Sequence, residues 1–436
     1  MYLTTRGILL LLLAAPFIAA ATWAPALEWV AGGYVLLAAL LISLDWRAAG
    51  PVAKFEVRRT HDNRLSLGAE NPIVITIRNR HSRPMTLQVR DEAPDEFHIS
   101  RRILHGQLAA GGSWQESYYV RPLRRGDYQF GNINLRWRGP LELAVRSGRI
   151  EATEAVKVYP NLLDVRRYDL MLRQNRLQEI GLRHTRLPGQ GTEFERLREY
   201  RQDDEYRRIN WKATARRHRP ITVEYQTERS QNIMAVLDTG RMMQSPIADI
   251  AKLDYAVNAV LLLAYVATGM GDKVGMMTFA DEVEQYLRPR QGRGQFYRML
   301  EQLYAVEARS VEPDYQQGLG YLALKQRRRA LIVIFTDLSG GASVNSLLEH
   351  TRLLAKHNLP LVVTISDPDI HDMARQTPAN SLDVYRRAAA QQLLQERSST
   401  LETLHRQGAP TLDVPATQLS IGVVNRYLQL KRQSRL

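Results

Sequence analysis

The chain has 436 residues, of which 44% are hydrophobic and 24% are charged, a composition typical of a folded globular protein rather than a disordered one. It contains no cysteine, which excludes disulfides, cysteine zinc sites and thiol nucleophiles. The formal net charge of +14 is compatible with anionic partners such as nucleic acid or anionic lipid.

Two apolar segments lie near the N-terminus. Residues 7–23 carry no charge, and residues 29–46 carry a single one near their end. A helix that spans a bilayer needs at least about 17 mainly apolar residues, so the two segments together predict a transmembrane helical hairpin within residues 1–50. Tryptophans, whose rings prefer the membrane interface, lie at the edges of the segments: Trp23, Trp29 and Trp46. The alternative for the first segment is a signal peptide, since Arg6 precedes it and small residues follow.

The charges around these segments predict the orientation of the chain in the membrane. The loop between the segments carries only Glu28, whereas basic residues flank the pair on both sides. These basic residues are Arg6, Arg47, Lys54, Arg58 and Arg59. Because basic flanks stay on the cytoplasmic side, we expect a multi-pass protein of the cell inner membrane, with the lipid bilayer as a partner and the soluble domains in the cytoplasm.

Residues 51–160 are predicted to form an all-β sandwich domain. Apolar and polar residues alternate in several short runs, among them residues 73–78 and 133–137. Gly, Pro, Asn and Asp residues separate these runs at a spacing of about 8–12 residues, as in antiparallel sandwiches. Residues 161–230 follow as a charged connector.

From residue 231 to residue 436, apolar strand patterns alternate with helical patterns. The most apolar runs, residues 233–237 and 330–336, are each followed by an aspartate, Asp238 and Asp337. Continuous apolar strands between helices are typical of an α/β fold with a doubly wound parallel sheet. Ligands of such sheets bind beyond the carboxyl ends of the strands, so the two aspartates mark a candidate site.

A distinctive segment lies between these two domains, at residues 188–225, and reads PGQGTEFERLREYRQDDEYRRINWKATARRHRPITVEY. Thr192 and Glu195 have the spacing of a capping box, which predicts a short helix starting there. The segment closely resembles the signature of the bacterial DUF58 family: a glycine turn with EF, then REY, D..R.INW, AR and a strand. Residues 428–436, LQLKRQSRL, resemble the closing helix of that family.

The resemblance to the DUF58 family covers essentially the whole chain, because the order of the parts also agrees. It implies a von Willebrand A-like fold for residues 231–436, preceded by a sandwich and a transmembrane hairpin. Members of the family often look like partners of MoxR-type AAA+ ATPases, with the A-like domain as a protein-binding module. The resemblance therefore implies such an ATPase as the partner of this chain.

Von Willebrand A domains hold Mg²⁺ with an Asp-x-Ser-x-Ser turn, a threonine from a second loop and an aspartate after the fourth strand, and oxygen ligands of this kind suit a hard cation. Here the turn comprises residues 238–242, DTGRM, which lacks hydroxyls at both serine positions, and the loop at residues 312–315 contains no threonine. Asp238 and Asp337 remain as a degenerate metal site, and the sequence leaves open whether this site binds Mg²⁺. The alternative is that both aspartates cap strand ends or helices. No other cofactor is expected.

Arg241 is predicted to take the place of the metal. Two carboxylates that face one crevice repel each other unless a positive group lies between them, and a guanidinium can pair with carboxylates through two parallel hydrogen bonds. We hypothesise an ionic lock in which Arg241 bridges Asp238 and Asp337 or lies over them. The alternative is that Arg241 points to solvent.

The signature segment is predicted to contain a packed polar cluster that braces the α/β sheet against the sandwich. The basis is the density of opposite charges around its aromatic residues. The predicted members are Glu193, Arg198, Asp204, Arg208, Asn210 and Trp211.

The leading functional hypothesis is a membrane-anchored, non-enzymatic interaction or adaptor protein. The sequence contains no G-x-S-x-G, no HExxH and no Walker or dinucleotide fingerprint. Acidic residues are interspersed among the basic ones in residues 164–230, which favours internal pairing over a nucleic-acid surface, so no nucleic acid is expected. The alternatives are a metal-dependent binding module, a nucleic-acid-binding membrane protein and an unrecognised hydrolase.

Overall fold

The computed structural model describes residues 2–20, 26–161, 165, 193–201, 206, 209–217, 219–226, 230–338 and 341–433. The chain divides into two compact units, residues 1–161 and 162–436. The first contains apolar helices and mainly antiparallel sheets, and the second contains a mixed, mostly parallel sheet with helices on both faces.

The first unit begins with three apolar helices: α1 (Thr5–Leu12), α2 (Ala15–Ala20) and α3 (Ala26–Ala48). In α3, the 22 residues Leu27–Ala48 have a mean hydropathy of 1.9, so this helix is long and apolar enough to cross a bilayer. The predicted first span is divided into two shorter helices as far as the structure describes it. Pro16 lies in the first turn of α2, where its missing N–H is tolerated, and it cannot continue α1.

The rest of the first unit consists of short strands in three sheets. The strands are β1 (Tyr2–Leu3), β2 (Phe55–Thr60), β3 (Arg64–Ser66), β4 (Asn71–Asn79), β5 (Met85–Asp91), β6 (Phe97–Ile99), β7 (Leu104–Leu108), β8 (Ser113–Pro122), β9 (Gly126–Phe130), β10 (Ile133–Arg138), β11 (Ala144–Ile150) and β12 (Glu154–Tyr159). The sheet orders are β1-β11-β10-β5-β7, β2-β4-β8-β6 and β3-β12-β9. Among these pairs only β3 and β12 are parallel.

Alternating side chains form the core between the four-stranded and five-stranded sheets. In β4, Ile73, Ile75 and Ile77 are fully buried, whereas the residues between them are more exposed. The rings of Phe55 in β2 and Trp137 in β10 meet across the two sheets with centroids 5.1 Å apart. This inward and outward alternation follows from the pleat of a strand and matches the period seen in the sequence.

Asp45 joins the end of α3 to the five-stranded sheet. Its carboxylate is 1% exposed and accepts backbone N–H bonds from Leu141 (2.7 Å), Leu143 (2.9 Å) and Ala144 (3.1 Å). Before α1, the N–H of Thr4 donates to the carbonyl of Leu143 at 3.1 Å. Both ends of the apolar helical segment therefore contact the same stretch of chain at the edge of the sheet.

In the described part of the signature segment there are a two-stranded sheet and a short helix. Its elements are β13 (Glu193–Glu199), α4 (Trp211–Arg217) and β14 (Ile221–Gln226). The helix predicted to start at the capping box of Thr192 and Glu195 is wrong, because the described residues Glu193–Glu199 form strand β13, which pairs antiparallel with β14. Pairing with β14 satisfies backbone groups along most of β13, whereas a capping box satisfies only two donors.

The second unit is built around a six-stranded sheet. Its strands and a short hairpin are β15 (Asn232–Asp238), β16 (Pro246–Ile247), β17 (Ile250–Ala251), β18 (Lys273–Phe279), β19 (Val283–Arg290), β20 (Leu331–Phe335), β21 (Leu359–Ser366) and β22 (Thr411–Pro415). Its helices are α5 (Lys252–Gly269), α6 (Arg293–Tyr304), α7 (Tyr315–Lys325), α8 (Gly341–Ala355), α9 (Pro368–Arg375), α10 (Ser381–Arg406) and α11 (Leu419–Arg432). The sheet order is β19-β18-β15-β20-β21-β22, with β19 antiparallel to the other five.

Helices cover both faces of this sheet, as the continuous apolar strand sequences predict. On one face, Met234 and Val236 of β15 share a cluster with Tyr315 and Leu319 of α7. Helices α7, α8 and α10 lie on this face, and α5, α6 and α11 lie on the other. Because β15 and β20 are parallel neighbours, the residues that follow them meet at one edge of the sheet.

Candidate functional site

Asp238 ends β15 and is 2% exposed. Its Oδ1 accepts the backbone N–H of Gly240 at 2.7 Å. Its Oδ2 accepts the hydroxyls of Thr336 at 2.6 Å and Tyr315 at 3.1 Å, and these two hydroxyl oxygens are themselves 2.6 Å apart. Protein donors therefore engage both oxygens of this buried carboxylate.

Asp337 follows β20 and pairs with a buried lysine. Nζ of Lys252, at the start of α5, lies 2.6 Å from Oδ2 of Asp337, and the two side chains are 5% and 2% exposed. Oδ2 of Asp367 lies 3.8 Å from the same Nζ, and a guanidinium nitrogen of Arg397 lies 3.7 Å from Oδ1 of Asp337. The buried carboxylate is thus compensated by one close ammonium and supported by a more distant guanidinium.

Arg397 connects α10 to two strand ends at this edge. Its guanidinium forms a bidentate pair with Asp413 of β22 at 2.8 and 3.2 Å. It also donates to the Thr364 hydroxyl at 2.6 Å and to the Ile365 carbonyl at 2.8 Å. Bonds of this charge-assisted kind hold the middle of α10 over the ends of β21 and β22.

The residues at this edge do not fit a bound Mg²⁺. That ion requires oxygen ligands that face it in near-octahedral geometry. Here the Lys252 ammonium lies against Asp337, and the oxygens of Asp238 already accept an N–H and two hydroxyls. Within the described part of the chain, no group of three or more His, Asp or Glu side chains could hold a metal ion. The two aspartates therefore belong to an ion pair and a hydrogen-bonded cluster.

Gly240 shows how tightly the neighbouring loop closes over the β15 turn. A Cβ at this position would lie 2.9 Å from Cδ of Pro313, 3.0 Å from Oδ1 of Asp238 and 3.1 Å from the carbonyl oxygen of Val311. The N–H of Arg241 donates to that same carbonyl at 2.9 Å. A serine at position 240 would consequently displace the loop.

The ionic-lock hypothesis is wrong, because Arg241 pairs with Glu312 and the cation on Asp337, Lys252, is not paired with Asp238. Arg241 pairs at 2.6 Å with Glu312, and both side chains are more than half exposed, so the guanidinium stays hydrated outside the cluster. Lys252 is the cation on Asp337, because the start of α5 delivers it to the strand ends. The sequence did contain a signal for this role of Lys252. It is one of only eight lysines in the chain, and it lies at the start of a largely apolar helix.

A serine–histidine pair also lies at this edge, which the sequence analysis missed. The hydroxyl of Ser366, at the end of β21, is 2.9 Å from Nε2 of His371 in α9. His371 lines a cavity of about 20 Å³ together with Lys252, Asp367 and Arg397. A cavity of that size holds about one water molecule.

The signature residues show a different arrangement from the one predicted. Trp211 is 69% exposed, so the prediction that it is packed is wrong. The ring belongs to the first residue of the seven-residue α4, where most of its surface stays in solvent. Asn210 caps α4 by accepting the Ala213 N–H at 3.0 Å, and Arg198 donates to the carbonyl of Glu199 at 3.2 Å. Asp204, Arg208 and the side chain of Glu193 lie outside the described residues.

The environment of Asp238 predicts a dependence of stability on pH. Burial raises the pKa of this carboxyl to about 6, despite opposing hydrogen bonds from Thr336, Gly240 and Tyr315. Since the unfolded pKa is about 3.9, the folded state binds the proton more tightly. The contribution of Asp238 to stability is therefore greatest below about pH 4 and is lost as the pH rises through 6.

We expect this loss to be roughly 2–3 kcal/mol between pH 4 and pH 7. Asp238→Asn, which cannot titrate, should remove that part of the pH dependence. The measurement is the free energy of unfolding in urea for the wild type and variant across this pH range. Parallel pH profiles for the two proteins would contradict the expectation.

Comparisons with known proteins agree with the resemblance in the signature segment. A family model described as "Protein of unknown function DUF58" matches residues 196–378. Uncharacterized proteins of Mycobacterium tuberculosis and Mycobacterium bovis are each 24% identical to the chain over 269 residues, which is 57% of this chain and 83% of theirs. The uncharacterized protein YeaD of Bacillus subtilis is 23% identical over 312 residues, which is 70% of this chain and 74% of its own.

Proposed function

We propose that this chain is a membrane-anchored, non-enzymatic protein-interaction or adaptor protein that works with a MoxR-type AAA+ ATPase in the assembly or maturation of other proteins. The observation that carries the proposal is the exposure of aromatic side chains in the signature segment. The resemblance to the DUF58 family supports the choice of ATPase.

The aromatic surface of the signature segment consists of Trp211, Tyr206 and Tyr200. Trp211 is 69% exposed and Tyr206 is 75% exposed. The rings of Tyr200 and Tyr206 lie 5.8 Å apart. Tryptophan and tyrosine dominate the binding energy of protein interfaces, because they bury large apolar areas and keep a polar group for hydrogen bonding. Exposed rings at this density favour a protein partner.

The α/β unit supports the same proposal as a von Willebrand A-like module that needs no metal. Its strand order and antiparallel edge strand are compatible with such a fold. In this proposal Lys252 supplies the positive charge that Mg²⁺ supplies elsewhere, so the carboxyl edge is permanently closed. Partner binding is then independent of divalent cations.

The anchor in this proposal is a pair of membrane spans with both soluble units in the cytoplasm. Helix α3 has the length and hydropathy for one span. The shorter α1 and α2 lie against it: the Tyr34 hydroxyl donates to the Leu10 carbonyl at 2.7 Å, and the rings of Phe17 and Tyr34 are 6.1 Å apart. The basic residues on both flanks support the orientation.

The proposed function predicts that the full-length protein in neutral detergent binds a purified MoxR-type ATPase encoded by the same genome. Binding should occur in buffer that contains EDTA and nucleotide but no divalent cation. Trp211→Ala combined with Tyr206→Ala should raise the Kd for the ATPase by at least about 30-fold. This is the effect expected from the loss of at least one residue that contributes strongly to the binding energy. The melting temperature should not change, because both rings are exposed. Calorimetry and thermal unfolding give the two measurements.

The matched control is Tyr297→Ala combined with Tyr385→Ala, which removes rings that are 58% and 75% exposed in the second unit. This variant should bind the ATPase like the wild type. Failure of the wild type to bind would contradict the partnership. Equal binding by the signature variant would contradict the aromatic surface as the contact.

A further inference from the structure

The outer face of the five-stranded sheet in the first unit forms a basic groove. Its volume is about 580 Å³, and its lining includes Arg90, Arg136 and Arg149 together with Tyr2 and Ile103. The three arginines are exposed, as are Tyr2 (59%) and Ile103 (48%). We call this surface, defined by these five residues, the arginine groove.

Strand register explains why the arginines share one face. Arg90 of β5 lies opposite Asn134 of β10, which lies opposite Arg149 of β11. Arg136 is two residues beyond Asn134 in β10, so its side chain emerges on the same side. Three strands thus each contribute one guanidinium to a single concave surface.

The positive charge in the groove exceeds the negative charge. Glu92 also lines it and lies 3.6 Å from Arg149, while the Asn134 amide donates to Glu92 at 2.7 Å. Hydrogen bonds from Asn134 and Asn132 lower the pKa of Glu92, which is therefore ionised at neutral pH. In the described ranges, no carboxylate lies within 4.0 Å of the Arg90 or Arg136 guanidinium. Arg90 interacts with Glu92 through its charge without a close ion pair. The Arg90 and Arg136 guanidinium groups can therefore still pair directly with an anionic ligand.

The groove begins where the apolar helices begin. Tyr2 is in β1, which pairs with β11 through Val145 and Ala144, and α1 starts at Thr5. The Arg136 guanidinium lies 5.5 Å from the centre of the Tyr2 ring. If α1 to α3 lie in the bilayer, this end of the groove is at the membrane surface. A ring and guanidinium at that depth match the chemistry of the lipid headgroup region.

We propose that the arginine groove binds the headgroup phosphates of anionic phospholipids in the membrane that holds the helices. This inference rests on the membrane anchor of the proposed function. Guanidinium groups pair with phosphate oxygens through two parallel hydrogen bonds, and the exposed Tyr2 and Ile103 contact the glycerol and upper acyl chain. The sandwich is then an orienting element, held to the bilayer by charge as well as by the helices.

The test uses the full-length chain in neutral detergent and calorimetric titration with three ligands: dioctanoyl phosphatidylglycerol, dioctanoyl phosphatidylcholine and glycerol 3-phosphate. Phosphatidylglycerol should bind at least about tenfold more tightly than either of the others. Arg90→Gln, Arg136→Gln and Arg149→Gln together should weaken that binding by roughly 100-fold at low salt, about fivefold for each arginine. Glu92→Gln should strengthen it several-fold, a gain that misfolding cannot produce.

The control variant carries Arg78→Gln, Arg102→Gln and Arg124→Gln, which remove three exposed arginines outside the groove. It should retain the wild-type affinity. Equal affinity for phosphatidylglycerol and phosphatidylcholine would overturn the proposal, and so would equal affinity for glycerol 3-phosphate, which indicates a site for soluble phosphates. Equal loss in the control variant would overturn it as well.

Two separate readouts distinguish this inference from the proposed function. The groove variant should still bind the ATPase and should resist extraction from membranes by alkaline carbonate. Extraction of the wild type would disprove the anchor itself. A loss of lipid preference with retained anchoring and ATPase binding supports the groove specifically.

Discussion

Lys252→Met is expected to reduce the free energy of unfolding of the α/β unit by about 3–5 kcal/mol. The substitution keeps the length and much of the apolar stem of the side chain but leaves Asp337 buried without its close cation. Nζ of Lys252 lies 2.6 Å from that carboxylate, and both side chains are almost fully buried. Breaking one partner of such a pair is costly because the remaining charge cannot return to water. Urea unfolding of the full chain measures the loss.

A second substitution tests whether the loss comes from the unpaired charge. Asp337→Asn added to Lys252→Met should recover much of the stability, since the double variant buries no ion there. Arg241→Met is the matched control, because its exposed pair with Glu312 should contribute less than about 1 kcal/mol. A larger loss of stability in Arg241→Met than in Lys252→Met would contradict the assignment of Lys252 as the cation that stabilises Asp337. Absence of recovery in the double variant would assign the loss to packing.

Asp45→Ala is expected to lower the stability of the first unit by roughly 4–5 kcal/mol. Its carboxylate accepts three hydrogen bonds, two of them from donors that are partly exposed, and each should contribute about 1.5 kcal/mol, the low end for a charged acceptor. The variant would leave the N–H groups of Leu141, Leu143 and Ala144 without their acceptor, the last of them in a buried position. Asp45→Asn keeps one oxygen and should lose less. Hydrogen exchange of residues 139–145, measured in detergent, should become faster in both variants.

Glu28→Ala is the control at the other end of α3, where the side chain is exposed. It should change stability by less than about 0.5 kcal/mol. If Asp45→Ala left the exchange of residues 139–145 unchanged, the carboxylate would not be the connection between helix and sheet. Faster exchange throughout the first unit would instead indicate general unfolding.

The sequence predicts elements most closely where burial imposes a continuous pattern. The strand β20 agrees with the apolar run at residues 330–336 to within one residue at each end, because a continuous apolar run is a strong signal for a buried strand. The antiparallel edge strand β19 was missed, since its residues are half exposed and include Pro289 near its end. The capping box was misleading because a local signal of that strength yields to strand pairing.

The structural role of the closing helix α11 is clear only from its tertiary contacts. Lys431 belongs to the segment that resembles the end of the DUF58 family, and Tyr427 immediately precedes that segment. Both residues contact the carboxylate of Asp272, which is fully buried. The Lys431 ammonium lies 2.6 Å from this carboxylate, and the Tyr427 hydroxyl donates a hydrogen bond to it. The carboxylate also accepts the backbone N–H of Gln231 at 2.9 Å. The motif binds the last helix to the start of β18.

Sequence alone determined the apolar segments, the alternation of strands and helices, and the two aspartates at strand ends, because each depends on residues close together in the chain. Only the tertiary structure decided which acidic side chain pairs with which basic side chain. Lys252 and Asp337 are 85 positions apart, and Lys431 and Asp272 are 159 apart. Such pairs form only after the strand order brings the ends of β15 and β20 together and packs helices across the sheet. Hydrophobic burial sets the pattern along the chain, and it is non-directional, so the pairing of particular charges depends on the final three-dimensional arrangement.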